Sequence, residues 1–247
     1  MPKLQKYIHK ITKYKKKLRK ILTRIGISYS EEFELIDETP KKLLLPCYLG
    51  ILFCGDFEIN NLFNKIKIYL NTVYDSFFFD IRNLGAYNFT AELFSKGVKR
   101  EYKEMKKSSG VIKIHPTNKF YQILINKRNE ESLGMIIALT DLPIYSSSED
   151  NILFLFGETH LKHRCCVVSS LKLRELGKNE NNKLFETRIV KEIIHEVGHL
   201  ILGSNHCPNE VCVMRFSKNV DEVDNKSLDL CDLCNTKLLG IQDSHNF

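Results

Sequence analysis

Apolar residues recur at three- and four-residue steps along residues 1–25, which is the period of one face of an α-helix. The first 30 residues also carry ten lysines and arginines and no acidic residue. The pattern therefore predicts a basic amphipathic helix. Residues 26–40 change to an acidic and polar composition, which predicts a linker. We accordingly divide the chain into residues 1–40, the N-terminal helix with its linker, and residues 41–247, a folded domain.

The rest of the chain, as far as residue 202, alternates between apolar runs typical of buried strands and segments with helical periodicity. The apolar runs predict strands at 43–53, 77–81, 134–145, 152–156 and 165–173. The periodic segments predict helices at 58–74, 120–128 and 183–202. Residues 95–118 are basic and polar, and we interpret them as a loop. Interleaved helices and strands predict an α/β (α+β) fold built around one sheet.

The last predicted helix carries His195 and His199, four residues apart, with Glu196 directly after the first histidine. Four helical residues turn the chain by about 400°, so both imidazoles can reach one metal ion. Catalytic zinc takes three protein ligands and keeps one position open for water. A third histidine, His206, would complete that set, and Glu196 would lie beside the open position.

Four cysteines in the C-terminal segment form a C-x4-C pair, Cys207 and Cys212, and a C-x2-C pair, Cys231 and Cys234. This spacing is typical of a structural zinc site made of four thiolates, which has no open position for catalysis. The other four cysteines lie in or beside predicted strands. We interpret them as free buried thiols, kept reduced in a cytoplasmic setting.

The order of these residues resembles the archaemetzincin (archaelysin) family of metzincin zinc metallopeptidases. That family's pattern is H-E-x-x-H-x-x-G-x-x-H-C, four residues, C-x-M, about seventeen residues, then C-x-x-C. Its fixed residues all occur here. The matching positions are His195, Glu196, His199, Gly203, His206, Cys207, Cys212, Met214, Cys231 and Cys234.

Two spacings depart from the family pattern. Three residues separate His199 from Gly203 where the family has two. Sixteen residues separate Met214 from Cys231 where the family has about seventeen. An extra helical residue adds about 1.5 Å and 100° before the glycine turn. Counted rigidly, the third ligand position falls on Asn205, a poor zinc ligand. We select His206 because it keeps the family's adjacency to Cys207.

The resemblance implies a metzincin-like fold, with a mixed twisted sheet, an active-site helix and a C-terminal segment stapled by the four-cysteine site. It implies two zinc ions per chain, one catalytic and one structural. It also implies a peptidase that uses a zinc-activated water with Glu196 as general base, and it places Met214 in a tight turn beneath the metal, the Met-turn. The strand ending near Gly157 would be an exposed sheet edge for an extended substrate peptide. His160 and His163, in the next turn, are interpreted as solvated.

The charge balance leaves other functions open. Ten of the 37 basic residues lie in the N-terminal helix, leaving 27 against 30 acidic residues, a net charge of −3. Nucleic acid or an anionic surface is therefore a candidate partner only through that helix, whose alternative role is to dock on the catalytic domain. Residues 207–234 contain only three cations, too few for a phosphate-tracking surface. No apolar run is long enough for a membrane span. A second alternative is an inactive, zinc-stabilised homologue, suggested by the extra residue before Gly203.

Overall fold

The structure is a computed structural model, and it describes residues 43–88, 96–98, 112–146, 155–174 and 182–247. The predicted basic helix and its linker, residues 1–40, lie outside the described residues. Their division from the folded domain therefore stays a prediction. Among the described helices, none has the length and apolar character needed to cross a membrane.

A mixed five-stranded sheet forms the centre of the fold, with the order β2-β1-β5-β8-β7. Its strands are β1 (Cys47–Cys54), β2 (Phe78–Ala86), β5 (Met135–Thr140), β7 (Gly157–His160) and β8 (Cys165–Ser169). The first four in this order run parallel, and β7 alone is antiparallel, paired with β8. A small second sheet contains β3 (Lys96–Val98), β4 (Ile112–Pro116) and β6 (Ile144–Tyr145). The mixed sheet confirms the predicted fold class.

Helices cover both faces of the large sheet, because alternate residues of its strands are apolar on both sides. The helices are α1 (Ile59–Val73), α2 (Thr117–Glu130), α3 (Asn182–Leu202), α4 (Val220–Asn225) and α5 (Asp232–His245). Leu49, Ile51 and Phe53 of β1 pack in one core with α1 and α3. Leu52 and Cys54, which point the opposite way, pack in a second core with α2. The sheet thus fixes α3, which carries the histidine motif, against one face.

The structure confirms the three predicted helices in the described residues and most of the predicted strands, with shifted boundaries. The loop predicted for residues 95–118 is wrong for its described residues, 96–98 and 112–118, which form β3, β4 and the start of α2. The strand predicted for 134–145 divides into β5 and β6, in different sheets. The strand predicted for 165–173 ends at Ser169, and a 3-10 turn follows at Leu171–Leu173.

The edge strand lies later in the sequence than predicted. Residues 155 and 156, the described part of the strand predicted for 152–156, are not in a strand, and β7 begins at Gly157, where that strand was predicted to end. Its position at the edge of the sheet is confirmed, but its four residues are all buried. His160 lies within β7, and His163 packs against it with ring centroids 4.9 Å apart. Both histidines are buried, so the prediction that they are solvated is wrong.

Candidate active site

Helix α3 brings three residues of the predicted site to one buried position. His195, Glu196 and His199 are 5%, 2% and 0% exposed, respectively. The four-residue step places both histidines on one face of the helix, as predicted. The helix backbone therefore fixes their relative placement before any contact with the rest of the chain is made.

The turn after α3 decides which residue joins the two helical histidines. Gly203 has a φ of +91°, in the left-handed region that favours glycine, and its N–H donates to His199 O at 3.1 Å. The helix thus ends at the glycine despite the extra residue. Asn205 is exposed, whereas His206 turns inward to the two helical histidines. The structure therefore brings His206, and not Asn205, into the cluster.

The three imidazoles converge on a common point through their Nε2 atoms. The separations are 3.1 Å for His195 and His206, 3.1 Å for His195 and His199, and 3.3 Å for His199 and His206. Zinc–nitrogen bonds of about 2.0–2.1 Å in a tetrahedral arrangement set the nitrogens about 3.4 Å apart. The three side chains therefore fit a zinc ion with its fourth position open.

Hydrogen bonds and burial keep these imidazoles in the form that binds a metal. His195 Nδ1 lies 2.8 Å from Val213 O, and His199 Nδ1 lies 3.0 Å from Gly203 O. A carbonyl oxygen can only accept, so each Nδ1 carries the proton and each Nε2 offers a lone pair. Burial lowers the pKa of His199 to about 4 and that of His206 to about 3, which favours neutral rings.

Glu196 follows His195 on α3, and its carboxylate packs against β7. Thr159 Oγ1 lies 2.5 Å from Glu196 Oε2, and Gly157 leaves the space that Oε1 occupies. Burial raises the pKa of the Glu196 carboxyl well above its ordinary value, because the charged form loses its hydration. A divalent cation among the histidines would act in the opposite direction, since an opposite charge nearby favours the carboxylate.

Met214 lies in a tight turn packed against α3. The turn is closed by Arg215 N, which donates to Cys212 O at 2.9 Å. A Cβ atom added to Gly198 would lie 2.2 Å from Met214 Sδ, so the absence of a side chain there lets the turn approach the helix. Tyr74, which directly follows α1, joins both elements, because its hydroxyl lies 2.8 Å from Ile194 O and 3.8 Å from Met214 Sδ.

The four C-terminal cysteines form a second cluster. Cys207 Sγ lies 3.4 Å from Cys231 Sγ, and Cys212 Sγ lies 3.8 Å from Cys234 Sγ. A disulfide needs sulfurs about 2.05 Å apart, whereas a tetrahedral four-thiolate zinc with bonds of about 2.3 Å sets them about 3.8 Å apart. Burial raises the Cys231 pKa, but hydrogen bonds from the Cys234 backbone and the other thiols outweigh this effect and bring it to about 7. Burial raises the pKa of Cys212 to about 11 and also raises the pKa of Cys234 well above its ordinary value. The sulfur spacing fits a zinc ion, and the charge of a bound ion would favour the thiolates.

The remaining four cysteines are free and buried, in agreement with their interpretation as core thiols. Burial raises the pKa of both Cys47 and Cys54 to about 12. These thiols are therefore neutral near pH 7, and they do not belong to the cysteine cluster whose ligand atoms lie together.

A buried polar network behind α3 had no signal in the sequence. Lys226 Nζ lies 2.9 Å from Glu192 Oε1, with side-chain exposures of 0% and 4%. Arg188 makes two hydrogen bonds to the Asp224 carboxylate, at 2.7 Å and 2.6 Å. The Arg188–Asp224 pair joins α3 to α4, and the Glu192–Lys226 pair joins α3 to the residue directly after α4. Their partners are more than 30 residues apart in sequence, so helical periodicity does not reveal the pairing.

The chain is similar in sequence to a known protein family. Residues 49–239 match the model of peptidase family M54. Over 105 residues the chain is 41% identical to archaemetzincin from Thermococcus kodakarensis, covering 42% of this chain and 54% of that protein. Over 121 residues it is 36% identical to archaemetzincin from Methanocaldococcus jannaschii, covering 48% of this chain and 65% of that protein. The matched segments thus span about half to two thirds of these curated relatives.

Solved structures show the same fold. The crystal structure of archaemetzincin from Methanopyrus kandleri aligns with a TM-score of 0.58 at 23% identity, covering 83% of this chain and 99% of that one. A zinc-dependent peptidase from Methanocorpusculum labreanum aligns with a TM-score of 0.57 at 23% identity, covering 77% and 99%. The family model matches well over half of the sequence, in agreement with the resemblance noted from the motif, and the chain therefore belongs to peptidase family M54.

Proposed function

We propose that this protein is a zinc-dependent peptidase in which His195, His199 and His206 hold a catalytic zinc ion and Glu196 is the general base. The C-terminal cysteines would hold a second, structural zinc ion, giving two per chain. The observation that carries the proposal is the convergence of three Nε2 atoms, 3.1–3.3 Å apart. The general base is assigned to Glu196 because it directly follows His195 on α3 and is buried. Membership of peptidase family M54 supports the same activity.

The chain's own residues supply positioning and proton transfer. When bound, zinc supplies Lewis acidity, which polarises a carbonyl oxygen and acidifies a water molecule. Glu196 accepts the proton of the attacking water on its carboxylate and delivers it to the leaving amine nitrogen. Because Glu196 is 2% exposed, bulk water has little access to the carboxylate, and the proton is retained between the two steps.

The edge strand β7 is the proposed contact for the substrate backbone. Ser169 N donates to Phe156 O at 2.7 Å, so this pair is bonded across the ladder. Along an antiparallel ladder, hydrogen-bonded pairs of residues alternate with non-hydrogen-bonded pairs, and Gly157 and Thr159 fall in the second kind. Their N–H and C=O groups therefore point away from β8, to the outer edge of the sheet. An extended peptide added there would pass beside Glu196, which contacts both residues.

The inactive-homologue alternative was based on the extra residue before Gly203. We favour the active enzyme over this alternative, because the ligand atoms of His195, His199 and His206 lie close together despite the extra residue. The nucleic-acid alternative depends on the N-terminal helix, which lies outside the described residues, and stays a prediction.

The test compares the parent protein with Glu196→Ala in cleavage of an unfolded protein substrate, with products identified by mass spectrometry. We expect the variant to retain two zinc ions per chain and its fold while losing about 10²- to 10⁴-fold in rate, the usual contribution of a general base. Glu186→Ala is the matched control, because this carboxylate lies on the same helix but pairs with Lys65 at 3.3 Å. That control should retain the parent rate.

Two results would contradict the proposal. Glu196→Ala activity within a few fold of the parent would remove Glu196 as the base. A parent protein that binds zinc at both clusters but cleaves no peptide under any tested condition would favour the inactive homologue.

A further inference from the structure

Thr159 makes two contacts with the general base from the neighbouring strand. Its hydroxyl oxygen lies 2.5 Å from Glu196 Oε2 and 3.1 Å from the Glu196 backbone oxygen. Thr159 is fully buried, and its strand β7 is fixed by pairing with β8. The contact therefore joins two rigid elements that are 37 residues apart in sequence.

The shorter contact receives the hydroxyl proton. A threonine hydroxyl has one proton to donate, and O–H to carboxylate hydrogen bonds are typically about 2.5–2.7 Å long. The 2.5 Å separation to Oε2 lies in that range, whereas 3.1 Å to the backbone oxygen is longer than usual for a hydroxyl donor. The main acceptor is thus the carboxylate that the proposed mechanism uses.

Gly157 restricts the same carboxylate from the other side. A Cβ atom at position 157 would lie 2.5 Å from Glu196 Oε1 and 2.8 Å from its carboxyl carbon. Glu196 Oε1 therefore rests against bare backbone while Oε2 is bonded to Thr159. The two oxygens have different partners, so rotation of the carboxylate would break the Thr159 bond.

We propose that Thr159 is a positioning residue for catalysis, which holds Glu196 Oε2 and so fixes the orientation of the carboxylate that receives the proton of the reacting water. This inference rests on the proposed peptidase function. Thr159 acts through Glu196 and does not exchange a proton with substrate. Its backbone lies on the edge proposed to pair with substrate, so the same residue would align the peptide and the base. Misplacement of a catalytic group by about 1 Å can cost about 10²-fold in rate.

The experiment compares Thr159→Val, which keeps the side-chain shape and loses the hydroxyl, with Thr159→Ser, which keeps the hydroxyl. Thr187→Val is the matched control, because Thr187 is a half-buried residue of α3 whose hydroxyl donates to Lys183 O of the same helix at 2.7 Å. Each zinc-loaded protein is assayed for kcat and KM. Zinc affinity is measured by competition with a chelator, and apoprotein unfolding is measured by circular dichroism.

We expect Thr159→Val to lower kcat by about 10- to 100-fold, with KM and zinc affinity within about twofold of the parent. Thr159→Ser should recover kcat to within about threefold, and Thr187→Val should match the parent. A second readout is independent of turnover. The Glu196 carboxyl band, identified in the infrared difference between the parent and Glu196→Gln, should shift in Thr159→Val and remain unchanged in Thr187→Val.

Three outcomes would overturn the inference. These are a kcat for Thr159→Val within twofold of the parent, equal losses in Thr159→Ser and Thr159→Val, or a fall in zinc affinity that parallels the fall in kcat. If Thr159→Val does not fold, Thr159→Ala replaces it in the same comparison. A parent that cleaves peptide, with Glu196→Ala inactive and Thr159→Val fully active, refutes only the role of Thr159. An active Glu196→Ala refutes the proposed function instead.

Discussion

The buried ion pair behind the histidine motif gives a prediction whose size follows from the structure. Lys226 Nζ lies 2.9 Å from Glu192 Oε1, and the two side chains are 0% and 4% exposed. Lys226 also donates to Arg215 O at 3.3 Å. Lys226→Met keeps a long apolar side chain and removes the charge. The carboxylate of Glu192 would then remain in the core without its cation.

Removal of one partner of a buried pair typically costs about 3–5 kcal/mol, because the remaining charge is uncompensated. For a protein of this size, 1 kcal/mol changes the midpoint of thermal unfolding by about 2–4 °C. Lys226→Met should therefore lower that midpoint by about 6–20 °C. Replacing both partners with methionine removes the stranded charge, so Glu192→Met/Lys226→Met should return to within about 1 kcal/mol of the parent or exceed it.

The assay is thermal and guanidinium unfolding of the zinc-loaded protein, followed by circular dichroism. Lys127→Met is the matched control, because Lys127 lies 2.9 Å from Glu131 on the surface, with both side chains at least one third exposed. Its midpoint should match the parent, since water screens an exposed pair. A loss below about 1 kcal/mol in Lys226→Met would refute the reasoning, as would a double variant no more stable than the single one.

Three further predictions concern the two metal sites and the packing of α3. His206→Ala should weaken zinc binding at the histidine cluster by at least about 10²-fold in chelator competition, because even the loss of a residue that only hydrogen-bonds to a metal ligand costs about 10- to 100-fold in affinity. Asn205→Ala should leave the affinity unchanged, and the reverse result would place the third ligand on Asn205. Cys234→Ser should lower the zinc count by one per chain and lower the midpoint of thermal unfolding, because zinc bound at a structural site stabilises the folded state. An unchanged zinc count by mass spectrometry would count against the four-cysteine site. Gly198→Ala should destabilise the protein by about 1–3 kcal/mol, because the added methyl group would lie 2.2 Å from Met214 Sδ. Gly240→Ala should stabilise the protein by up to about 1 kcal/mol, because a Cβ atom there has nothing within 4 Å and alanine favours the helix more than glycine does.

The chemistry of the site could be read from the sequence because much of it is local. Two histidines four residues apart on one helix share a face whatever the rest of the chain does. The order of His195, Glu196, His199 and the cysteine pairs also indicated the family, which the match over residues 49–239 confirms. Long helices such as α1 and α3 were predicted well, since their apolar periodicity extends over several turns.

Short strands were predicted less well because periodicity has little length in which to appear. The strands within residues 95–118 are only three and five residues long. The edge strand β7 has the sequence Gly-Glu-Thr-His, which reads as a turn. Its four residues are buried because α3 and β8 enclose them, and that enclosure depends on the packing of distant segments.

By itself the sequence determined the ligand types, their order and their approximate grouping into a histidine cluster and a cysteine cluster. It favoured His206 as the third ligand only through its adjacency to Cys207, because one extra helical residue rotates the turn by about 100° and a rigid count falls on Asn205. The tertiary structure decided between His206 and Asn205 by ending α3 at Gly203 and turning His206 inward. It also brought Thr159 to Glu196 and Lys226 to Glu192, contacts that span 37 and 34 residues. Such partners are chosen by which surfaces pack together, and local sequence periodicity carries no record of that choice.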